Sequence, residues 1–479
     1  NNIVTIQPDS LRILHNPLTG WVLYASMGVD AADFWAQYDH MYIPELGHNV
    51  SVTDYAHTLY IRASWTDFNP QEDVYGWKID SNLRAYIEGA YQRNMRLAFR
   101  VVVDSRDKRT EFTPQFVKDA GAKGFMNKGK WSPYSDDPVF QKYYTKFVKA
   151  LAKDFNDPSK VEFIDGFGLG KWGEYHTMIY STGDDTPKKA VFNWVTDIYS
   201  QAFDKVPVVI NYHRWIGAGK DWVDDEHFAA DSEEMLEEAI KKGYSLRHDA
   251  FGMTTYYGSW ERRFAKKYRN ICPIIMEGGW IVKSHNYWQD PRGYRKDSHE
   301  DVRRGEFDDS KEAHVNMMDF RFGDTKSWFK DAFDLVRRFL REGGYRLYPS
   351  EISLPLEVSK KTTPTIKHCW NNLGWGYCPT NIPQWNQKYK VAFALLDSET
   401  NEVRYTFVDT DTDLSKWIKG SPAEYVFEPD MSKVETGTYV WAVGLVDRSN
   451  KDLVGLDIAA KGDILDSGWL KLSKVSIKK

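Results

Sequence analysis

The sequence has few cysteines, no long apolar run and no excess of positive charge. Three cysteines, Cys272, Cys369 and Cys378, cannot form a disulfide framework in a chain of 479 residues, although the last two lie near enough in sequence to close one short loop. No stretch approaches the roughly 20 consecutive apolar residues that cross a bilayer. The formal charge of −5 gives no long-range attraction for nucleic acid or an anionic membrane. We therefore expect no membrane span and no nucleic-acid partner.

The sequence also lacks the short motifs of metal, nucleotide and serine-nucleophile sites. It contains no H-E-x-x-H, no C-x-x-C, no G-x-x-x-x-G-K-[ST] and no G-x-S-x-G. The glycines between Gly166 and Gly173 are not spaced as in a dinucleotide-binding turn, and no ribose-binding acid follows them. We therefore expect an enzyme that works without a metal or cofactor.

Aromatic residues are abundant, since 19 Trp, 28 Tyr and 25 Phe make up 15% of the chain. Many of them stand beside Gly, Asn, Asp and Arg rather than within apolar runs. Trp and Tyr in polar loops provide flat surfaces with an apolar face and a polar edge. This composition favours a flat, amphipathic ligand.

Short apolar strands alternate with helical stretches from about residue 20 to about residue 349, which is the pattern of a parallel βα architecture. The helix predicted over 139–155 is representative, because apolar residues recur at helical spacing after Asp137 and Pro138. Eight such rounds predict an α/β fold, a (β/α)8 TIM barrel with enlarged loops. The eight predicted strands are 21–25, 58–63, 97–103, 163–168, 207–212, 250–254, 273–276 and 316–320.

The pattern changes after Pro349, where prolines interrupt a stretch without helical periodicity. Four segments beyond it, 390–396, 403–408, 438–446 and 469–475, have the composition and turn spacing of β-sandwich strands. We therefore place a catalytic barrel at 1–349 and an all-β, immunoglobulin-like sandwich at 350–479 as an accessory domain.

Two glutamates stand where barrel chemistry is expected, just past the C-terminal ends of strands. Glu174 follows the fourth strand after a glycine-rich run, and Glu277 comes directly after the apolar seventh strand. Two carboxyl groups facing each other across a cavity can hydrolyse glycosides, because one protonates the leaving oxygen while the other attacks the anomeric carbon or activates water. The structural alternative is that each glutamate only pairs with a barrel arginine such as Arg62, Arg100 or Arg321.

The placement of these two glutamates resembles that in the clan A glycoside hydrolases, which are retaining (β/α)8 enzymes. The segment from Arg62 to Trp77 supports this, since it looks like the R-x-x-W-x-x-x-x-P-x-x-G-x-Y-x-W element of glycosidase barrels. The run G-L-G-K-W-G-E-Y-H-T and the opening H-N-P-L-T-G-W look more narrowly like bacterial glycosidase-like proteins with an appended C-terminal β-sandwich. If the substrate is an anionic galactan, carrageenan-degrading barrels would be one concrete relative.

The resemblance implies that Glu174 is the acid/base and Glu277 the nucleophile of a retaining enzyme. Retention is favoured because Glu277 follows its strand closely, whereas a water-activating base needs more room. Glu277 should then be ionised and Glu174 protonated at rest, with the more raised pKa of the two. One position departs from the clan, because Gly173 stands where many members have the Asn that contacts the sugar 2-hydroxyl. We expect Asn211 or His213 to make that contact.

The other candidate substrate-binding residues also lie at strand ends or in the loops that follow them. Tyr256, after strand six, is expected to hydrogen-bond Glu277, and packing is the alternative role for each aromatic residue. The full set is Arg62, Trp65, Arg100, Trp172, His176, Asn211, His213, Tyr256, Tyr257, Trp280, Trp288, Arg292 and Arg295.

Two loops at the same barrel face are locally basic. Residues 104–134 contain seven basic and four acidic side chains, and residues 281–296 contain four basic and one acidic. With Trp and Tyr between the charges, this predicts an anionic polysaccharide substrate, such as a sulfated galactan or a uronic-acid polymer. Solvated loops with incidental lysines are the alternative.

Together these features predict a retaining, endo-acting hydrolase of β-glycosidic bonds in a polysaccharide. An exo-acting, β-galactosidase-like enzyme is one alternative, and a non-catalytic glycan-binding protein on a degenerate barrel is another. The expected location is secreted, periplasmic or on the surface of a bacterium. The oligomeric state is left open.

Overall fold

The computed structural model describes residues 1–220, 223–253, 256–280 and 299–479. Its contacts divide the chain into two compact units. The barrel unit is Gly20–Arg337, and the sheet unit combines Asn1–Thr19 with Arg338–Lys479. These boundaries differ from the predicted ones, which place residues 1–19 and 338–349 in the barrel domain.

The elements are numbered in chain order. The strands are β1 Asn2–Thr5, β2 Gly20–Tyr24, β3 Met41–Ile43, β4 His48–Val50, β5 Ala56–Ser64, β6 Arg96–Val102, β7 Gly124–Asn127, β8 Lys130–Pro133, β9 Val161–Asp165, β10 Val208–Asn211, β11 Ser245–Phe251, β12 Ile274–Gly278, β13 Met317–Asp319, β14 Leu347–Leu354, β15 Glu357–Ser359, β16 Ile366–Asn372, β17 Tyr389–Asp397, β18 Val403–Asp409, β19 Ala423–Phe427, β20 Gly437–Asp447, β21 Leu453–Leu456 and β22 Leu470–Lys478. The α-helices are α1 Ala31–Asp39, α2 Trp65–Phe68, α3 Gly76–Ile79, α4 Ser81–Gln92, α5 Gln115–Asp119, α6 Pro138–Phe155, α7 Lys188–Ala202, α8 Glu226–Lys241, α9 Ser259–Tyr268, α10 His299–Glu312, α11 Thr325–Asp331 and α12 Phe333–Glu342.

Eight parallel strands close into a barrel in the order β2-β5-β6-β9-β10-β11-β12-β13, and β13 pairs with β2. Helices follow the strands, so the predicted (β/α)8 fold is confirmed. The sixth predicted strand was set too late, since β11 begins at Ser245 rather than at residue 250. Arg247, His248 and Asp249 lie within this strand, and their charge concealed it from a search for apolar runs.

Helix α6 shows why the sequence forms these elements. Asp137 caps its N-terminus by accepting a hydrogen bond from the backbone N–H of Phe140, and Pro138 occupies the first turn. The buried face of the helix includes Tyr144 and Phe147, whose rings pack against Trp65. The aromatic residues of this layer therefore hold the helix against the barrel.

The sheet unit contains two sheets. One has the antiparallel order β1-β14-β16-β19, and the other has the order β15-β22-β20-β17-β18 with β21 beside β20. Phe393 of β17 stacks on Phe427 of β19, and His368 of β16 lies 2.8 Å from a carboxylate oxygen of Asp409 on β18. Residues of the two sheets therefore contact each other, and the immunoglobulin-like assignment stays a prediction.

The three cysteines are free thiols, so Cys369 and Cys378 do not close the loop that the sequence allowed. Cys369 lies on β16, and the Cys378 thiol is buried beside the Tyr345 side chain. Among the described helices, none is long and apolar enough to cross a membrane.

Candidate active site

The loop that carries Glu174 has an unusual backbone. Gly168, Gly170 and Gly173 have φ values of 78°, 78° and 74°, and Trp172 between them has a φ of 59°. A Cβ on Gly168 would lie 2.5 Å from the Val101 carbonyl oxygen, so this position requires glycine. Trp172 has no such freedom, and a left-handed Trp is held there only by its surroundings.

Two arginines hold this loop by its backbone. The Trp172 carbonyl accepts hydrogen bonds from Nη2 of Arg62 at 3.2 Å and from Nη1 of Arg100 at 3.4 Å. His213 adds a third anchor, because its Nε2 donates to the Glu174 carbonyl oxygen at 2.7 Å. These contacts set where the Glu174 side chain emerges.

Glu277 lies within β12, three strands further round the barrel order than β9. Its Oε2 accepts a hydrogen bond from Nη2 of Arg100 at 2.8 Å and another from Nη2 of Arg247 at 2.9 Å. The carboxyl group is 6% exposed. Two buried guanidinium groups therefore donate to the same oxygen of Glu277.

Arg100 contacts three carboxyl groups, which belong to Glu174, Glu277 and Asp165 at the end of β9. Its side chain is fully buried. Nε donates to Asp165 at 3.2 Å, Nη1 to Glu174 at 3.4 Å and Nη2 to Glu277 at 2.8 Å. One guanidinium group therefore fixes the two carboxyl groups relative to each other.

The electrostatics of Glu174 contradict one expectation from the sequence. Burial favours its neutral form, but hydrogen bonds with Asp249 and His176 and the charge of Arg100 lower its pKa to about 2. His176 Nε2 lies 3.3 Å from Oε1 of Glu174. This direction contradicts the prediction that Glu174 is protonated at rest, because the contacts of Glu174 with Asp249 and His176 could not be identified from the sequence.

Asp249 of β11 behaves in the opposite way. Burial and the nearby charge of Glu174 raise the pKa of Asp249 to about 6. Asn211 at the end of β10 donates to Oδ2 of Asp249 at 3.0 Å. Below about pH 6 the pair of Glu174 and Asp249 therefore retains a proton, and the opposite directions of the two pKa shifts favour Asp249 as its carrier.

The buried charges of the site are nearly balanced once such protons are counted. Burial and the charge of Glu277 also raise the pKa of Asp319, which accepts from Arg247 at 3.3 Å. Without retained protons, carboxylates would outnumber guanidinium groups in a region with little water. The groups concerned are Arg62, Arg100, Arg247, Asp165, Glu174, Asp249, Glu277 and Asp319.

The described residues enclose a cavity of about 350 Å³ above these groups. Eight of the predicted site residues lie in its wall, where they can contact a ligand. Their individual roles stay predictions. The lining residues are Arg62, Lys108, Trp172, Glu174, His176, His213, Trp215, His248, Asp249, Ala250, Met253, Tyr256, Glu277, Trp280 and Arg321.

Four predicted substrate-binding residues do not line the cavity. Trp65 is fully buried in the aromatic layer against α6, and its indole N–H donates to Asn69 at 3.1 Å. Tyr257 is buried with its hydroxyl 2.7 Å from that of Tyr212. The structure shows Trp65 and Tyr257 in a packing role, which was the alternative to substrate binding.

Arg100 and Asn211 contact the carboxyl groups rather than the cavity. Trp288, Arg292 and Arg295 lie outside the described residues, and their roles stay predictions. The hydrogen bond expected between Tyr256 and Glu277 also stays a prediction, with Tyr256 in the cavity wall.

Two parts of the site were not identified from the sequence. They are the ionisable residues of β11 and the position of Lys108 in the cavity wall. Arg247, His248 and Asp249 form an ionisable run between apolar neighbours, and such a run inside a predicted barrel is a signal for interior function. Burial lowers the pKa of His248 to about 3, so this ring is neutral. Lys108 had been counted only as part of a basic loop. Burial and the charge of Arg62 lower its pKa to about 8.

Metal binding finds no support in the described part of the chain, where no group of three or more His, Cys, Asp or Glu side chains is arranged to hold an ion.

Searches against known proteins returned structural likeness only. No protein-family model matches the sequence, and no curated protein matches it. Among solved structures, an endo-β-1,4-mannanase from Thermotoga petrophila is 13% identical with a TM-score of 0.41, over 97% of this chain and 98% of that one. Endo-glycoceramidase II from Rhodococcus sp. is 12% identical with a TM-score of 0.40, over 89% and 99%. A GH30 endoxylanase from Clostridium papyrosolvens is 8% identical with a TM-score of 0.40, over 90% and 98%.

Proposed function

We propose that this chain is a retaining glycoside hydrolase in which Glu277 is the nucleophile and Glu174 the acid/base. The observation that carries the proposal is the bridge of Arg100, which holds both carboxyl groups at the floor of one cavity. In the first step Glu277 attacks the anomeric carbon while Glu174 gives a proton to the leaving oxygen. In the second step Glu174 takes a proton from water, and the water releases the sugar from Glu277.

The contacts of Glu277 suit attack through one oxygen. Arg100 and Arg247 both donate to Oε2. Among the described residues none donates a hydrogen bond to Oε1, so this oxygen is available to the anomeric carbon. The two arginines also hold the carboxyl group in one orientation.

The cavity wall suits a sugar chain. Trp172 and Tyr256 line it, and Trp280 at its edge is 56% exposed. Exposed aromatic faces bind the apolar faces of sugar rings. We propose a polysaccharide substrate cut internally, with exo-acting, β-galactosidase-like cleavage as the alternative that product sizes would distinguish.

The substrate is proposed to be anionic, as a sulfated or uronate polymer would be. Lys108, Arg62 and Arg321 line the cavity. Within the described part of the chain, the Lys108 ammonium forms no hydrogen bond or ion pair and lies 5.3 Å from the ring centroid of Phe112. Arg106 of the same loop is already paired, since it lies 2.5 Å from Asp104. Lys108 therefore carries the electrostatic argument.

The experiment that tests this function is reducing-sugar release from a panel of neutral and anionic plant and algal polysaccharides, with Glu277→Gln as the matched inactive control. Release by the parent and not by the variant supports the proposal. Binding of a polysaccharide by both proteins without release by either would favour the non-catalytic, glycan-binding alternative.

A further inference from the structure

Glu174 and Asp249 form a carboxyl pair at the edge of the cavity. Both side chains line the cavity and approach the same guanidinium group, since Oε2 of Glu174 lies 3.4 Å from Nη1 of Arg100 and Oδ2 of Asp249 lies 3.9 Å from Nη2. Each of the two carboxyl groups also shifts the pKa of the other. Two ionised carboxylates repel at this distance and neither can donate, so a hydrogen bond between them requires one proton. Below about pH 6, where the raised pKa of Asp249 retains a proton, the pair is singly protonated.

The contacts of each oxygen indicate where the proton lies. Oδ2 of Asp249 accepts from Asn211 at 3.0 Å and lies 3.9 Å from Nη2 of Arg100. Oδ1 lies 3.8 Å from Nδ1 of His248, but that nitrogen accepts from the Ala250 backbone N–H at 2.9 Å. Among the described residues, Oδ1 therefore has no donor, and it is the oxygen that can carry the proton.

The Glu174 side of the pair is arranged differently. Oε1 faces His176 at 3.3 Å, and Oε2 accepts from Arg100 at 3.4 Å. Both neighbours stabilise negative charge on Glu174 while the site is empty. The charged and titratable groups that face the pair are Arg62 of β5, Arg100 of β6, Lys108 after β6, His176 of the Glu174 loop, His213 after β10, His248 of β11 and Glu277 of β12.

We propose that Asp249 is a positioning residue for the reaction, holding on Oδ1 the proton that Glu174 delivers to the leaving oxygen. This rests on the proposed hydrolase function. When a glycoside fills the cavity, the proton moves along the hydrogen bond from Asp249 to Glu174. Asp249 becomes the carboxylate, stabilised by Asn211 and by the nearby Arg100.

The step balances in protons and charge. Before transfer the negative charge is on Glu174, and after transfer it is on Asp249. Glu174 then gives the proton to the glycosidic oxygen as the C–O bond breaks, and water returns a proton to Glu174 in the second step. This resolves how a residue that is ionised in the empty site can act as an acid, since the pKa of Asp249 is raised to about 6 while that of Glu174 is lowered to about 2.

A spectroscopic experiment tests the shared proton without any substrate. The infrared spectrum of the parent between pH 4 and pH 8 should contain a protonated-carboxyl band that disappears with a midpoint near 6. Asp249→Asn should lack this band. In Glu174→Gln the band should titrate at lower pH, because the charge that raises the Asp249 pKa is gone. Glu261 and Asp319, whose pKa values are raised to about 7 and about 8, remain in all three proteins, so the difference spectra isolate the pair.

A kinetic experiment tests the use of that proton. Two glycosides of the same sugar are compared, one with a 2,4-dinitrophenyl leaving group that needs no protonation and one with an alkyl leaving group that does. Asp249→Asn should lose about 100-fold in kcat/KM on the alkyl glycoside and less than tenfold on the dinitrophenyl glycoside. On the alkyl glycoside, the basic limb of its pH profile should move to lower pH.

Asp165→Asn is the matched control, because Asp165 also contacts Arg100 but not Glu174. Its loss should be equal for the two leaving groups. Equal losses in Asp249→Asn, or survival in that variant of the band whose midpoint is near pH 6, would overturn the proposal. Asp249→Ser serves if the Asn variant does not fold. If the infrared band behaves as expected but the protein hydrolyses no glycoside, the shared proton is supported. The hydrolase function is then refuted.

Discussion

Nη2 of Arg100 lies 2.8 Å from Oε2 of Glu277, inside a barrel where the arginine side chain has no exposure to solvent. A buried ion pair of this kind costs desolvation energy when it forms, but removing one partner leaves the other buried and unpaired. The same guanidinium group also donates to Glu174. Stability and catalytic geometry therefore depend on one side chain.

Replacing Arg100 should damage both properties. Arg100→Met should lower the free energy of unfolding by about 3 to 5 kcal/mol, since it leaves buried carboxylates without their partner. Arg100→Lys should recover part of the stability but little activity, because one ammonium cannot bridge both glutamates. Urea unfolding measures the first effect. Arg263→Met, at an exposed pair with Glu233, is the control and should change stability by no more than about 1 kcal/mol.

Removing the nucleophile should abolish turnover without unfolding the protein. Glu277→Gln keeps the size of the side chain and its contact with the two arginines, but an amide does not attack the anomeric carbon. We expect kcat to fall by about 10⁴-fold or more, with a thermal unfolding curve that stays cooperative. Steady-state kinetics measures the loss. Activity within tenfold of the parent would remove Glu277 from the mechanism.

Azide should rescue an acid/base variant. Glu174→Ala should hydrolyse an activated glycoside slowly, because no base assists water in the second step. Azide needs no such base, so its addition should raise the rate and yield a glycosyl azide. Nuclear magnetic resonance of that product should show the β configuration, which retention requires. An α-configured azide would instead indicate inversion at the anomeric centre.

Lys108 should contribute to the binding of an anionic polymer. Its pKa is lowered to about 8, so the ammonium charge is present below pH 8 and is lost as the pH rises through that value. KM for a sulfated or uronate polysaccharide should therefore increase between pH 6.5 and pH 9 and with added salt, which screens charges beyond about 8 Å at 0.15 M. Lys108→Ala should remove the part of this pH dependence that arises above pH 7.

Lys118→Ala is the matched control, because Lys118 lies in the same loop beside Trp131 and outside the cavity wall. Its KM should follow that of the parent. Equal KM values for a neutral and an anionic polymer, unchanged by salt, would contradict an anionic substrate while leaving the hydrolase itself in place.

The barrel could be predicted well because most of its strands are short apolar runs, and local composition is enough to recognise such runs as strands. Glu277 could be found because a carboxylate directly after such a run is conspicuous, and Glu174 because it ends a glycine-rich run that follows one. Arg247 and Asp249 could not, because a charged residue inside a strand is stable only through partners on other strands. Those partners, Glu277 for Arg247 and Asn211 for Asp249, are distant in sequence.

Trp65 and β1 illustrate two other limits. An aromatic residue in a motif can bind substrate or pack, and only the position of α6 decides that Trp65 packs. Strand β1 precedes the barrel in sequence but pairs with β14 of the sheet unit, and no local pattern reveals a partner at the other end of the chain.

Trapping the covalent intermediate tests the central claim most directly. The protein is incubated with the 2-deoxy-2-fluoro-β-glycosyl fluoride of whichever sugar it releases, and the labelled protein is digested and analysed by mass spectrometry. The fluorine slows release of the sugar from the nucleophile, so the label should accumulate in one copy per chain, on the peptide that contains Glu277, and should be absent from Glu277→Gln. A label on another residue, or time-dependent inactivation without a covalent adduct, would contradict the assignment of Glu277 as the nucleophile of a retaining hydrolase.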